Sequence, residues 1–376
     1  MSSLCSISAS CRQLYILTVP VLYQRININN KNHGCPGLLL RLTTKGTKLP
    51  NFIRQITIES GNWINDLALQ QLIELFSKLT RLETLTWSQN YDIPDGILQS
   101  LHKYSPKSRL IVKAEIPFPY PQSVLHQCTG FSSPNLYSLD ARIPAEPQSR
   151  RIAKLSLFNI LRSATNLRKL NITQDSGGCV VYGFDPSLEI DLNVRVGDQL
   201  PQLEELSFPI FSITDMSRWG DMGGWSKLRV LKLSRNACAL EAFNGRVPCL
   251  RSLTLNIPWS QLESLEWRLS QMSILEELVL NGDGMRFPFN LLAANSDTLH
   301  TLSVHAPEPY SPKMRPDIPI SDIRRLNETC PKLKFLSVDI NRDGQWVSSL
   351  PQFLFMILSI IYKESIEPIT NQSLAE

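Results

Sequence analysis

One spacing recurs through most of this 376-residue chain: an apolar residue, two variable positions, a second apolar residue, one variable position and a third apolar residue. It reads Ile53-Ile56-Ile58, Leu82-Leu85-Trp87, Leu136-Leu139-Ala141, Leu167-Leu170-Ile172 and Leu203-Leu206-Phe208. Leu228-Leu231-Leu233, Leu250-Leu253-Leu255, Leu275-Leu278-Leu280, Leu299-Leu302-Val304 and Leu333-Leu336-Val338 follow. The first positions lie 22 to 36 residues apart, except for one gap of 54 that a degenerate copy at Arg109–Val112 divides. The last two apolar residues of each copy sit two positions apart, so a short strand carries them on one side. One such strand cannot bury that side alone. Stacked copies bury it against each other and against the segments that return the chain. The strands are therefore expected to form a parallel sheet, with the return segments on its other side.

The return segments read as helices. Asp66 to Leu79 places Leu67, Leu72, Leu75, Phe76 and Leu79 at helical spacing. Pro94 opens a second helix through Leu98 and Leu101, since the first turn tolerates proline. Ala153–Ala164, Gln261–Met272 and Ser321–Cys330 are further helices by the same criterion. Asn90 and Asn236 stand where such repeats turn the chain out of the strand. Three insertions interrupt the array: the proline-rich loops Ile116–Gln122 and His305–Pro319, and the Gly-bearing Asp175–Gln199, read as a small hairpin.

The array resembles the irregular leucine-rich repeats of F-box proteins over residues 52–339. The resemblance implies an α/β solenoid, a horseshoe with a parallel concave sheet, a helical convex side and a short helical N-terminal segment. Residues 31–345 then hold the irregular repeats. Residues 1–30 are a partial F-box-like helical segment, and residues 346–376 are a C-terminal apolar helix and tail.

Within residues 1–30, Leu4, Ile7, Cys11, Leu14 and Tyr15 follow helical spacing, and Pro20 is expected to stop that helix. Cys11, Arg12, Leu14, Pro20, Leu22, Tyr23, Arg25 and Ile26 resemble the second half of a fungal F-box, where such a helix leads into Pro-x-Leu-Tyr and a first strand. The Leu-Pro-x-Glu-type segment that opens an F-box would lie ahead of Met1. The resemblance implies a substrate receptor of a Skp–cullin–F-box ubiquitin ligase, acting in ubiquitin-dependent degradation. Leu14, Pro20, Leu22 and Tyr23 would bind the Skp adaptor. Two other readings share these residues. One is a plain capping helix over the first repeat. The other is a transit peptide, because no Asp or Glu precedes Glu59 while Arg12, Arg25, Lys31, Arg41, Lys45, Lys48 and Arg54 do.

Composition limits the function classes. The net charge of +4, from 38 basic and 34 acidic residues, is too balanced for a nucleic-acid-binding surface over the whole molecule. Eight cysteines are scattered without a Cys-x-x-Cys pair, which favours neither zinc nor redox chemistry. With no secretory signal, reduced thiols and a cytoplasmic or nuclear protein are expected. The longest apolar run, Phe353–Tyr362, is too short to span a bilayer and reads as a terminal cap. No phosphate-binding glycine loop, nucleophile elbow or His-Glu-x-x-His motif is present, and the five histidines are scattered. We expect a protein-interaction module without catalysis, metal or cofactor, either the ligase receptor or a leucine-rich-repeat scaffold without ligase association.

The register also names the face left to a partner. The variable positions between and before the paired leucines are mostly small and polar. Lys169, Asn171, Glu205, Lys232, Glu277 and Phe335 carry its charge, amide and aromatic chemistry, and are the candidate partner-binding residues. The partner expected is an unnamed protein substrate.

Overall fold

The computed structural model describes residues 6, 10–29, 35–59, 66–88, 93–114, 133–143, 156–174, 192–208, 212–234, 237–256, 272, 274–282, 289–305 and 320–338. The chain is α/β and divides into two units. The first holds Met1–Tyr182 with Arg195–Leu203, and the second holds Gly183–Val194 with Glu204–Glu376.

In the first unit six strands follow one another in chain order: β1 (Arg25–Ile28), β2 (Gln55–Glu59), β3 (Thr84–Ser88), β4 (Arg109–Ala114), β5 (Leu136–Ile143) and β6 (Lys169–Gln174). Each pairs in parallel with the next. The apolar column stays in register, Ile26 beside Ile56, Ile56 beside Leu85 and Leu85 beside Leu110. One irregularity, between Leu110 and Ile111, shifts β5 by a residue. The ladder extends into the bends before the strands: Arg54 N donates to Gln24 O (2.9 Å), Glu83 N to Arg54 O (2.8 Å) and Arg109 N to Glu83 O (2.8 Å). Parallel strands need crossovers, and helices supply those among the described residues. These are Cys35–Thr43, Asp66–Lys78, Asp95–Tyr104 and helical residues 156–163. Asp66–Lys78 puts an acid in its first turn and Lys78 in its last, suiting the helix dipole, and buries Leu72, Leu75 and Phe76. Asn135, buried in the bend before β5, holds that bend closed through its amide, which donates to Pro106 O (3.1 Å) and Ser108 O (2.8 Å).

The second unit repeats the plan with β7 (Glu205–Phe208), β8 (Val230–Ser234), β9 (Ser252–Asn256), β10 (Glu277–Asn281), β11 (Thr301–His305) and β12 (Phe335–Val338). All pair in parallel in chain order, with Leu206, Leu231, Leu253, Leu278, Leu302 and Leu336 aligned. Its crossovers among the described residues are Ile213–Asp221, a 3-10 turn at Ala237–Phe243, Phe289–Ala294 and Ile320–Thr329. Trp219 and Trp225 pack with ring centroids 4.7 Å apart, Trp225 lies 5.1 Å from Phe243, and the Trp225 indole donates to Met216 O (3.1 Å). Gly224 leaves room for them: a Cβ there would overlap the Trp219 ring and stand 2.9 Å from Trp219 O. Asp215 is buried in the first turn of its helix, and its carboxylate accepts the backbone N–H groups of Leu192 (2.5 Å) and Val194 (2.9 Å).

The apolar columns expected from the spacing are the core. Every first-position residue from Ile53 to Leu333 is buried, as are the second and third positions from Ile56 to Val304. In β12 the alternation persists, but Leu336 and Val338 are only half-buried. The Arg109–Val112 copy is β4. The helices expected at 66–79 and 321–330 form within one residue of those bounds, the helix expected from Pro94 through Leu101 runs Asp95–Tyr104 with Pro94 as its cap, and residues 156–163 of the one expected at 153–164 are helical.

The N-terminal helix corrects two expectations. It runs Arg12–Leu22 with Pro20 inside it, so Pro20 does not stop it. Proline there removes only the bond to Ile16 O, and Ile16 is exposed, so water can take that carbonyl. The helix ends instead at Tyr23, whose N–H donates to Val19 O (3.0 Å). Nor does the helical run pass through Cys11. That residue is extended and caps the helix, its sulfur accepting from Leu14 N at 3.5 Å. The Gln261–Met272 helix, Asn90, Asn236, the loop Ile116–Gln122, residues 306–319 and the Phe353–Tyr362 run lie outside the described residues, Met272 excepted. Of the expected hairpin, only 192–199 are described, and they form no strand.

Candidate functional site

Strand pleating puts the leucine columns on one face and every intervening side chain on the other. That second, open face is the candidate site in each unit.

In the first unit β6 contributes Lys169 and Asn171, both half-buried. Asn171 Nδ2 donates to Asp140 Oδ1 on β5 (2.9 Å). On the far strands Asn27 and Asn29 donate to the Glu59 carboxylate at 2.6 and 3.2 Å. The face is otherwise cationic, with Arg25, Arg109, Lys113 and Arg142 exposed beside Lys169. Arg109 stacks its guanidinium 4.7 Å over the half-buried Tyr137 ring.

In the second unit Glu205, Lys232, Glu277 and Phe335 share the open face but do not form one cluster. Pairing runs Glu205–Val230–Ser252–Glu277–Thr301–Phe335 along one row, so Glu277 sits between Ser252 and Thr301, and Phe335 is on β12. Lys232 belongs to the next row, between Ser207 and Thr254. Ser252 Oγ donates to Glu277 Oε2 (2.6 Å), and Asn281 Nδ2 donates to the Asn256 side-chain oxygen. His305 Nε2 lies 3.1 Å from Ser337 Oγ. Phe335 is 69% exposed and is the only exposed large apolar side chain on this face among the described residues, with Val230 and Val279 half-buried there.

The N-terminal helix is a different surface. Thr18 and Val19 hold it down, near the Leu49–Phe52 turn. Leu14, Tyr15, Ile16, Leu17 and Val21 are exposed, Leu17 by 69%. Of the adaptor-binding candidates Leu14 is exposed, while Pro20, Leu22 and Tyr23 are half-buried, with Arg41 5.9 Å over the Tyr23 ring.

Several polar residues with structural work were not singled out from the sequence: Asp215, Asn135 and Asn295. Asn295 accepts from Leu275 N (2.8 Å) and donates to Leu291 O (3.0 Å), pinning the bend before β10. Asn135 and Asn295 are short polar side chains in turns and Asp215 is one in the first turn of a helix, signals that the leucine spacing overshadows. His102 Nε2 lies 2.8 Å from Ser133 Oγ, and burial lowers its pKa. Burial pushes the Cys330 thiol up to about 11. Among the described residues no three His, Cys, Asp or Glu side chains group as metal ligands do, and no helix is long and apolar enough to cross a membrane. No protein-family model matches the chain, and no curated protein matches it.

Proposed function

We propose that this chain is a leucine-rich-repeat solenoid that binds other proteins, and that it serves as an F-box-like substrate receptor of a Skp–cullin–F-box ubiquitin ligase in the cytoplasm or nucleus. The observation that carries the reading is the pairing of two surfaces. In-register parallel strands hold out an open face of polar side chains, and the N-terminal helix exposes Leu14, Ile16 and Leu17. An exposed apolar helical face beside a repeat array suits docking on an adaptor, while the open strand faces suit a broad protein contact. Such a receptor contributes proximity, and ubiquitin transfer belongs to other subunits.

Co-purification of the full chain with a Skp-type adaptor tests this. Capture is expected, with loss on Leu14→Glu/Leu17→Glu at an unchanged melting temperature. Failure of the unaltered chain to capture the adaptor would remove the ligase role. One observation favours a second reading, a repeat scaffold without ligase association. Pro20, Leu22 and Tyr23 are already half-buried in the chain's own fold, as in a helix that caps the first repeat. That reading expects protein partners in the same pull-down and no adaptor among them.

A further inference from the structure

The two open faces differ in charge. On the first unit's strands five cations, Arg25, Arg109, Lys113, Arg142 and Lys169, stand among two carboxylates, Glu59 and Asp140. On the second unit's strands the single cation Lys232 stands between Glu205 and Glu277. Four of the five cations lie on three adjacent strands, β4 to β6.

Two of these cations, Arg109 and Lys113, have no ion-pair partner among the described residues. Asp140 is the register partner of Lys113, yet its Oδ1 takes the Asn171 amide, and no ion pair joins it to Lys113 among the described residues. Arg109 likewise has no carboxylate within ion-pair distance among the described residues, and its guanidinium is held over Tyr137 instead. A stacked guanidinium keeps its outward N–H donors free for a carboxylate while losing little conformational freedom on binding one. Half-buried Ile111 lies between Arg109 and Lys113 on the same face, giving a chain laid there some apolar contact.

We infer that the β4–β6 face is the docking site for an acidic segment of a partner protein, a run of Asp or Glu side chains met by Arg109 and Lys113 on β4. The complementarity is electrostatic, so it steers association and weakens with salt. A single-stranded nucleic acid fits less well. Such ligands use exposed aromatic platforms, and Tyr137, the aromatic side chain at this patch among the described residues, has a ring face under Arg109. The inference rests on reading the open face as a binding surface and is independent of adaptor docking. The two can therefore fail separately.

The test is fluorescence anisotropy with the full chain and labelled oligoglutamate, oligoglutamine and oligothymidylate of equal length, in low and high salt. Oligoglutamate should bind in low salt and be released in high salt, and oligoglutamine should not bind. Arg109→Gln/Lys113→Gln should weaken oligoglutamate binding by about two- to thirtyfold, the range for two exposed charge pairs. Lys113→Gln alone, which leaves the Tyr137 stack intact, should show part of that loss at an unchanged melting temperature. Lys232→Gln, on the other unit's face, should have no effect. The inference is overturned if oligoglutamate does not bind, if Lys113→Gln changes nothing, or if Lys232→Gln weakens binding as much as the double variant. Oligothymidylate binding as tightly and competing for the same site would overturn it in favour of nucleic acid.

Discussion

Cys330 shows what position does to one group. It is buried behind the Ile320–Thr329 helix, with its sulfur 3.7 Å from Leu292 O, and burial raises its pKa to about 11. The thiolate is the reactive form, so near neutral pH this thiol is both shielded and protonated. Cys11 and Cys249 are exposed. Brief alkylation of the native protein at pH 8, read by peptide mapping, should label Cys11 and Cys249 and spare Cys330 until denaturant is added. Labelling of Cys330 at the rate of Cys249 would show that the last described helix does not close over it. The sequence alone could not separate these cysteines, since none lies in a metal or redox motif and only the fold says which turn faces the core.

At the scale of elements, some pieces were legible because one physical signal dominated. The Asp66–Lys78 helix buries Leu72, Leu75 and Phe76, though not Leu67, which is exposed, and has dipole-matched ends, and β2, β3 and β9 alternate without exception. The Cys35–Thr43 helix was hidden because Pro36-Gly37 reads as a turn, although proline is tolerated in a first turn and Leu39 and Leu42 bury one face. The Ile213–Asp221 helix was hidden because polar residues fill most of it, and only Met216 and Trp219 are buried apolar side chains. Its organising residue is Asp215, which ties Leu192 and Val194 to the helix through a buried carboxylate. Asp215→Ala would leave those two N–H groups without that acceptor, and urea unfolding should show a loss of roughly 1–3 kcal/mol. Asp215→Asn keeps one acceptor oxygen and should lose less. Equal stability of the alanine variant and the unaltered protein would mean that the contact does not organise this segment. The candidate site was legible only in part. The register correctly put Lys169, Asn171, Glu205, Lys232, Glu277 and Phe335 on the open face, but pairing across strands, not spacing along them, decides that Glu277 meets Ser252 and Asn171 meets Asp140.

On the scale of the whole molecule, the central claim is one repeated register: in both units the leucine column is core and the column beside it lies on the opposite, open face. Leu85 and Leu253 are fully buried, while their neighbours Thr86 and Thr254 point to the open face. The column was legible from end to end because a spacing repeated so often leaves one strand face as the only common solution. The charge contrast between the two faces was not, because it depends on which cations lie on adjacent strands and which carboxylates are already engaged by amides. The most direct measurement is denaturant unfolding of Leu85→Ala, Thr86→Ala, Leu253→Ala and Thr254→Ala side by side. Each leucine variant should lose about 2–5 kcal/mol through transfer and cavity terms. Each threonine variant should stay within about 0.5 kcal/mol of the unaltered protein. Equal losses within either pair would contradict the register, and with it the placement of the open face.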